Sequence, residues 1–310
     1  MARWRGVRMK ILVSGSSGLI GRALVSFLAA GGHHVTRLVR SSLSPGEAQV
    51  FWNPAVGTVN AAGLEGFDAV VHLAGENIAE RWTAKKKARI YESRAKGTRL
   101  LSESLGQVSK PPKILACASA SGYYGDCGDE VVTEDRPAGS GFLARVCQEW
   151  EAATEPALRR GIRVINLRTG IVLTPAGGAL ASMLFPFRMG LGGRLGSGRQ
   201  FWSWVAIDDV LGGILHTLTT ETLHGPVNVA APNPVTNREF TEILGRVLER
   251  PTVFPIPSFA VRLALGRMAD ELLLASARLA PARLLASGYQ FRYSNLEDAL
   301  RHLLGRRGAG

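Results

Sequence analysis

The sequence predicts an α/β fold: a doubly wound parallel sheet with a smaller lobe built mostly from the second half of the chain. Three observations carry this. Residues 11–13 (Ile-Leu-Val) form a short apolar run of the kind buried in a parallel sheet, joined by a glycine-punctuated turn to a helical segment at 22–30. Further apolar runs follow at 34–39, 67–75, 113–118 and 162–167, most of them separated by helix-spaced segments, as repeated strand–helix–strand units require. After about residue 174 the chain turns to glycine-, arginine- and proline-rich stretches. The expected division is a sheet domain of residues 1–173 that also receives 201–231, with 174–200 and 232–310 forming a substrate lobe and a carboxyl-terminal module.

The first turn reads Gly15-Ser16-Ser17-Gly18-Leu19-Ile20-Gly21. Gly15 permits the tight turn, Gly18 lets backbone N–H groups approach a pyrophosphate, and Gly21 lets the helix pack close to the strand. Strand, turn and helix start together make a phosphate-binding site, so all seven residues are candidate cofactor contacts. The second strand ends Leu38-Val39-Arg40-Ser41-Ser42, with no carboxylate before Glu47. An acidic residue there would accept the ribose 2′-hydroxyl of NAD, whereas an arginine fork suits a 2′-phosphate. The expected cofactor is NADP(H), with Arg40 and Ser41 beside that phosphate.

Residues 49–66 read as a loop or hairpin, with Phe51-Trp52 and 56–59 able to form a short edge pair. The segment 67–75 is a buried strand running into Leu73-Ala74-Gly75-Glu76, small enough at its end for a cofactor to lie against it. His72, mid-strand, reads as a packed core histidine. The helix beyond Trp82 carries Arg94. Strand 113–118 ends in Ser119-Ala120-Ser121-Gly122-Tyr123-Tyr124, and hydroxyls at a carboxyl-terminal strand end lie where open α/β sheets bind ligands. Ser119, Ser121, Tyr123 and Tyr124 are therefore the candidate catalytic residues, with Ser119 also beside the cofactor. Phe142, Val146, Glu149 and Trp150 are at helical spacing, and Pro156 is expected to end or kink that helix. Strand 162–167 leads through Arg168-Thr169-Gly170 to Val172, whose backbone is the expected partner of the carboxamide end of the cofactor.

In the second half, 169–187 is uncharged but broken by Pro175, Gly177, Gly178 and Pro186, which predicts strand and loop and not a membrane helix. Residues 187–200 read as an ordered substrate loop whose arginines face an acidic or phosphorylated ligand, or as a plain flexible loop. A helix at 210–219, a strand at 227–230, a helix at 237–249 and an amphipathic helix to about Leu279 complete the chain.

Composition narrows the function classes. The formal charge is +12, but 30 of the 37 basic residues are arginines spread along the chain, which argues against a nucleic-acid footprint. Cys117, Cys127 and Cys147 are an odd number without metal-ligand spacing, so free thiols in a reducing, cytoplasmic setting and no metal site are expected. Residues 1–8 carry Arg3, Arg5 and Arg8 without the apolar stretch of a secretory signal, and either Met1 or Met9 can serve as the start.

These features resemble the extended short-chain dehydrogenase/reductase family, which includes the sugar-nucleotide epimerases. The resemblance rests on Gly15–Gly21, the 68–75 strand, Tyr124-Gly125-Asp126, Arg168–Gly170 and Ile207-Asp208-Asp209. A narrower likeness is to an epimerase-like branch with its own carboxyl-terminal module. That likeness rests on Leu73-Ala74-Gly75-Glu76-Asn77, Arg81-Trp82, Ser93-Arg94, residues 186–193 and the tail from Pro255 to Tyr289. It implies a Rossmann-type domain and a cofactor contact at Arg94. It also exposes a departure. The family's Tyr-x-x-x-Lys pair, aligned through Glu149, falls on Phe142 and Val146, and its catalytic hydroxyl falls on Ala120. The expectation is an NADP(H)-binding oxidoreductase or epimerase-like enzyme, monomeric or homodimeric. Its substrate is an unidentified small molecule, with phosphorylated and nucleotide-linked compounds among the candidates. The alternative is a non-catalytic NADP(H)-binding sensor or regulatory protein.

Overall fold

The computed structural model describes residues 8–40 and 46–306; Ser41 lies outside them. Strand β1 (Lys10–Ser14), helix α1 (Leu19–Ala30) and β2 (His34–Val39) form the first unit. They are followed by β3 (Gln49–Asn53), β4 (Thr58–Val59), β5 (Ala69–His72), α2 (Ala84–Gln107) and β6 (Ile114–Ala120). Next come β7 (Val131–Val132), α3 (Phe142–Ala152), α4 (Glu155–Arg159), β8 (Arg163–Thr169) and β9 (Ile171–Leu173). The chain continues with α5 (Gly178–Arg188), β10 (Phe201–Trp202), β11 (Trp204–Ala206), α6 (Ile207–Thr219) and β12 (Gly225–Val229). It ends with β13 (Val235–Thr236), α7 (Asn237–Leu248), α8 (Ser258–Leu265), β14 (Arg278–Leu279), α9 (Ala282–Ala286) and α10 (Leu296–Leu303).

The main sheet has the order β12-β8-β6-β5-β1-β2-β3-β4, parallel throughout except for β4, which turns back on β3. The short 52/59 edge pair expected from sequence is present, and β3 also adds to the main sheet beside β2. Both faces of β1 are buried. Ile11 and Val13 pack with Leu24 and Leu28 of α1 and with Val210 and Ile214 of α6. Leu12 points the other way, into a cluster with Leu101 and Leu105 of α2 and Ala157 of α4. Helices thus cover both faces, and the continuous apolar run of β1 follows from that. The order reverses at β1, with β2 on one side and β5 on the other. This opens a crevice at the carboxyl end of β1.

A second core joins Leu173, Leu180, Leu184 and Phe187 to Trp202, Trp204, Phe240, Leu244 and Leu300. It explains a difference from the sequence reading of 169–187, where α5 is a helix and not a loop. Leu180, Leu184 and Phe187 recur at helical spacing and are buried together, and Pro186 is tolerated in the last turn. Pro156 likewise does not end α3; it sits in the first turn of α4, where its missing N–H has no intrahelical partner to lose. The tail is not one amphipathic helix. Gly266, at φ +60°, stops α8; a π-helical turn at Ala269–Leu274 follows, and β14 pairs parallel with β7. No helix among the described residues is long and apolar enough to cross a membrane.

Candidate functional site: the carboxyl ends of β1, β5 and β6

The β1–α1 turn is a close-packed cradle. Gly15 has φ +66°, and a Cβ there would sit 2.6 Å from the carbonyl carbon of Leu73. A Cβ on Gly21 would lie 2.1 Å from the Gly15 oxygen, so helix and turn touch backbone to backbone. Gly18 is the N-cap of α1, and no side chain caps that end. The first N–H groups of α1 thus face the crevice without a side-chain acceptor, and the helix dipole adds positive potential there. Ser16 is buried, Ser17 is exposed, and Leu19 reaches over to Gly177 and Gly178, where a Cβ on Gly177 would be 3.0 Å away. Sequence reasoning missed this last contact, which brings the loop before α5 onto the start of α1.

Leu73 and Ala74 are tied to β1 through Ser14, whose hydroxyl accepts both backbone N–H groups at 3.2 and 3.4 Å. The Ser14 hydroxyl also meets His72 Nδ1 at 2.6 Å, and His72 Nε2 meets Thr98 Oγ1 at 3.0 Å. His72 is fully buried, and that burial pushes its imidazole down to about 4. It is a core histidine that ties β1, β5 and α2 together.

Beyond Gly75 the strand-end loop is organised by charge. Lys86, buried, donates to Glu76 Oε1 and Glu80 Oε2, each at 2.8 Å. The Lys86 ammonium, with the charges of Arg89 and Arg40 behind it, holds the Glu76 carboxyl below the usual carboxylate range. Arg40 is exposed at the end of β2, on the same side as Glu76. Arg94 is turned into the protein: its Nη1 donates to the Glu76 carbonyl at 3.0 Å and the Ile90 carbonyl at 3.3 Å, and its guanidinium lies 4.8 Å from the Trp150 ring centroid. A Cβ on Gly75 would come within 3.2 Å of Arg94 Cζ, so the loop rests directly on this guanidinium.

The four hydroxyls at the end of β6 separate into two pairs. Ser119 is buried and donates to Glu151 Oε1 at 2.7 Å. Arg168, 3% exposed, makes two parallel bonds to Glu151, Nε to Oε1 and Nη2 to Oε2, both at 2.8 Å. Its Nη1 donates to the Tyr124 hydroxyl at 3.0 Å, and that hydroxyl donates to Asn228 Oδ1 at 2.7 Å. Burial pushes Tyr124 up to about 12. Ser119 and Tyr124 therefore belong to a network around the buried ion pair, in which both Glu151 oxygens and all three Arg168 nitrogens are hydrogen-bonded. Ser121 and Tyr123 are half-buried in the turn that follows β6, and Tyr123 lies against the Arg168 guanidinium, 3.4 Å from the ring centroid to Cζ.

On α3, Phe142 stands edge-on to Trp82, with centroids 5.2 Å apart, and Val146 is buried. Val172 pairs with Val205 across β9 and β11 and packs against the same apolar core as Leu73. The glycine–arginine loop of residues 187–200 is held by its own Arg194 and by hydrogen bonds to Ile256, Leu273 and Asn237. Arg194 donates to the carbonyls of Gly196 and Ser197, and the Asn237 side chain accepts the Leu195 N–H at 2.7 Å. One nitrogen of Arg194, Nη1, is thus committed to its own loop. All three cysteines are buried free thiols.

Comparison with known proteins agrees with this geometry. Residues 11–230 match the NAD dependent epimerase/dehydratase family, and residues 256–303 match a domain of unknown function, DUF1731. An epimerase family protein of Mycobacterium bovis is 44% identical over 96% of this chain and 98% of its own length. The crystal structure of human epimerase family protein SDR39U1 with NADPH superposes with a TM-score of 0.87 at 36% identity, covering 96% of this chain and 99% of that one. A nucleoside-diphosphate sugar epimerase from Corynebacterium glutamicum superposes with a TM-score of 0.81 at 37% identity, covering 96% of this chain and 59% of that one. With its glycine cradle, its strand reversal at β1 and these full-length likenesses, the chain belongs to the NAD dependent epimerase/dehydratase family.

Proposed function

We propose that this protein binds NADP(H) in the crevice at the carboxyl end of β1 and carries out oxidoreductase or epimerase-like chemistry on a small molecule. The observation that carries the reading is the Gly15–Gly21 cradle with its uncapped helix start, which fits a pyrophosphate and leaves no room for a side chain. Arg40 supports the phosphorylated cofactor, as does the NADPH in the human relative's structure. When bound, NADP(H) supplies the hydride chemistry. The protein's part is to hold it: residues 15–21 on the pyrophosphate, Arg40 on the 2′-phosphate, Leu73 to Glu76 along the adenine side, and Val172 near the carboxamide.

The proton chemistry must differ from the family's usual scheme. General acid–base work needs an ionisable group within hydrogen-bond reach of the substrate, and Phe142, Val146 and Ala120 offer none. Ser119 and Tyr124 are held in the Glu151–Arg168 network, which leaves Ser121 and Tyr123 as the hydroxyls available to substrate. The missing Tyr and Lys also favour a second reading, a cofactor sensor without turnover. Titration of NADPH and NADH, followed by NADPH absorbance with a panel of sugar nucleotides and phosphorylated sugars, tests both. NADPH binding with turnover that Tyr123→Phe or Ser121→Ala abolishes supports the enzyme. Binding without turnover across the panel supports the sensor. No binding of either cofactor overturns both.

A further inference from the structure

Two cations on α2 each cover an aromatic ring of α3. Arg94 lies over Trp150, and Lys87 lies over Phe142, with Nζ 5.0 Å from that ring centroid and 6.0 Å from the centroid of Trp82. The two cations are seven positions apart, which puts them on one face of the helix. Their surroundings differ. The Arg94 guanidinium has the carbonyls of Glu76 and Ile90 as acceptors. Lys87 is half-buried, yet among the described residues its ammonium donates no hydrogen bond and has no carboxylate within 4 Å. Several other cations of α2 are paired, Lys86 with Glu76 and Glu80, Arg89 with Glu76 and Lys96 with Glu92, while Lys85 is exposed.

An ammonium has three donors, and with its stem partly buried and no carboxylate beside it the charge of Lys87 is left for a ligand or for water. The faces of Trp82 and Phe142 attract the charge but take none of its three donors as a carboxylate would. The position is also specific. Lys87 stands in the first turns of α2, just after the loop leaving β5. Its partner Phe142 begins α3, after the loop leaving β6, and occupies the place where the family resemblance puts the acid/base tyrosine. The charge therefore stands at the end of α2 that follows the carboxyl end of β5, beside the residue that the resemblance aligns with the acid/base tyrosine.

We propose that Lys87, seated on the Trp82–Phe142 aromatic pair, is the anchoring cation for an anionic group of the substrate, a carboxylate or a phosphate. This names the substrate class for the reading given above and rests on it. The substrate is a small organic anion whose charged oxygens take the free donors of Lys87. The aromatic pair holds the ammonium in place and leaves its donors for the ligand.

Reductive ¹³C-methylation gives each lysine an NMR signal, and that of Lys87 is identified by its absence from the Lys87→Arg variant. Inorganic phosphate and UDP-glucuronate are titrated at constant ionic strength, with and without NADPH, and the exposed Lys85 serves as an internal reference. The expected result is a saturable shift of the Lys87 signal with at least one of the two anions while Lys85 stays in place. In the NADPH-saturated protein, Lys87→Gln is expected to weaken that anion about 10-fold or more, the loss of one charged contact. A Lys87 signal that moves no more than that of Lys85 with both anions, whether NADPH is present or absent, overturns the proposal. Failure of NADPH to bind sinks the cofactor reading separately, because the Lys87 response is read in both states.

Discussion

The carboxylate of Glu271 accepts the backbone N–H of Leu143 at 2.8 Å, so a residue 128 positions further along the chain caps the start of α3. No side chain of the local sequence does this, because the N-cap is Gly141, at φ +109°, where a Cβ would sit 3.1 Å from Glu271 Oε2. The module of residues 256–303 is therefore joined to the helix that carries Phe142. Glu271→Ala should cost about 1 kcal/mol, the usual worth of a helix cap, or roughly 2 °C in Tm for a chain of this size. Glu271→Gln, which keeps an acceptor, should lose less. Differential scanning calorimetry of the two variants is the check, and equal Tm values in wild type and Glu271→Ala would remove the cap from the account.

Arg40 should decide the cofactor. Loss of one charge-assisted contact is worth about 1.5–3 kcal/mol, so Arg40→Ala should weaken NADPH about 10- to 150-fold and leave NADH nearly unchanged. Fluorescence titration with both cofactors measures this. Equal affinities in the wild type would show that the end of β2 does not read the 2′-phosphate.

Arg94 supports the loop against which the cofactor is expected to lie. Removing it strips the Glu76 carbonyl of its donor and uncovers Trp150, so Arg94→Ala should lower the apo protein's stability by about 1–3 kcal/mol. NADPH affinity should fall with it, since Gly75 rests on the guanidinium. A variant with wild-type Tm but weakened NADPH binding would mean that Arg94 touches the cofactor and does little for the loop.

The Glu151–Arg168 pair should show strong coupling. Arg168→Ala leaves the Glu151 carboxylate with only the Ser119 hydroxyl as donor and the Tyr124 hydroxyl without the guanidinium, and breaking a buried pair in this way costs about 3–5 kcal/mol. The double variant Arg168→Ala, Glu151→Ala should be less destabilised than the sum of the two singles. Urea denaturation of the four proteins in the cycle gives the coupling, and simple additivity would contradict the geometry.

His72 should make the protein acid-sensitive. Its folded-state value, about 4, lies below the ordinary 6.5, so the unfolded chain binds a proton that the folded chain refuses. Stability is then unaffected by His72 above pH 6.5 and falls as pH drops from 6.5 toward 4, by on the order of 3 kcal/mol in total. His72→Gln should start lower at pH 7, because the Ser14 and Thr98 contacts are disturbed, and lose less between pH 6.5 and 4. Parallel slopes in the two proteins would assign the acid sensitivity to other groups.

What the sequence determined by itself is the cradle and the sheet around it. Gly15, Gly18 and Gly21 act over a few residues, through one positive φ and two close approaches, so their spacing alone carries the argument. Ile11, Leu12 and Val13 are buried on both faces because a parallel sheet covered by helices demands it, and that too is written locally. The absence of an ionisable group at Phe142 and Val146 is equally plain in the letters. What only the tertiary structure decided is how polar groups are shared between distant segments. Ser119 and Tyr124, Glu151, Arg168 and Asn228 come from four separate stretches, and nothing near Ser119 or Tyr124 says that their hydroxyls are already taken. The resemblance gives Arg94 a cofactor contact, but that its guanidinium is folded under Gly75 shows only in the structure. Helix α5 reads as a broken loop because Pro186 and its glycines outweigh propensity, until Trp202, Trp204 and Phe240 supply the apolar face that pays for the helix. A side chain's chemistry belongs to its residue type, but its availability depends on burial and partners, and those are long-range properties of the folded chain.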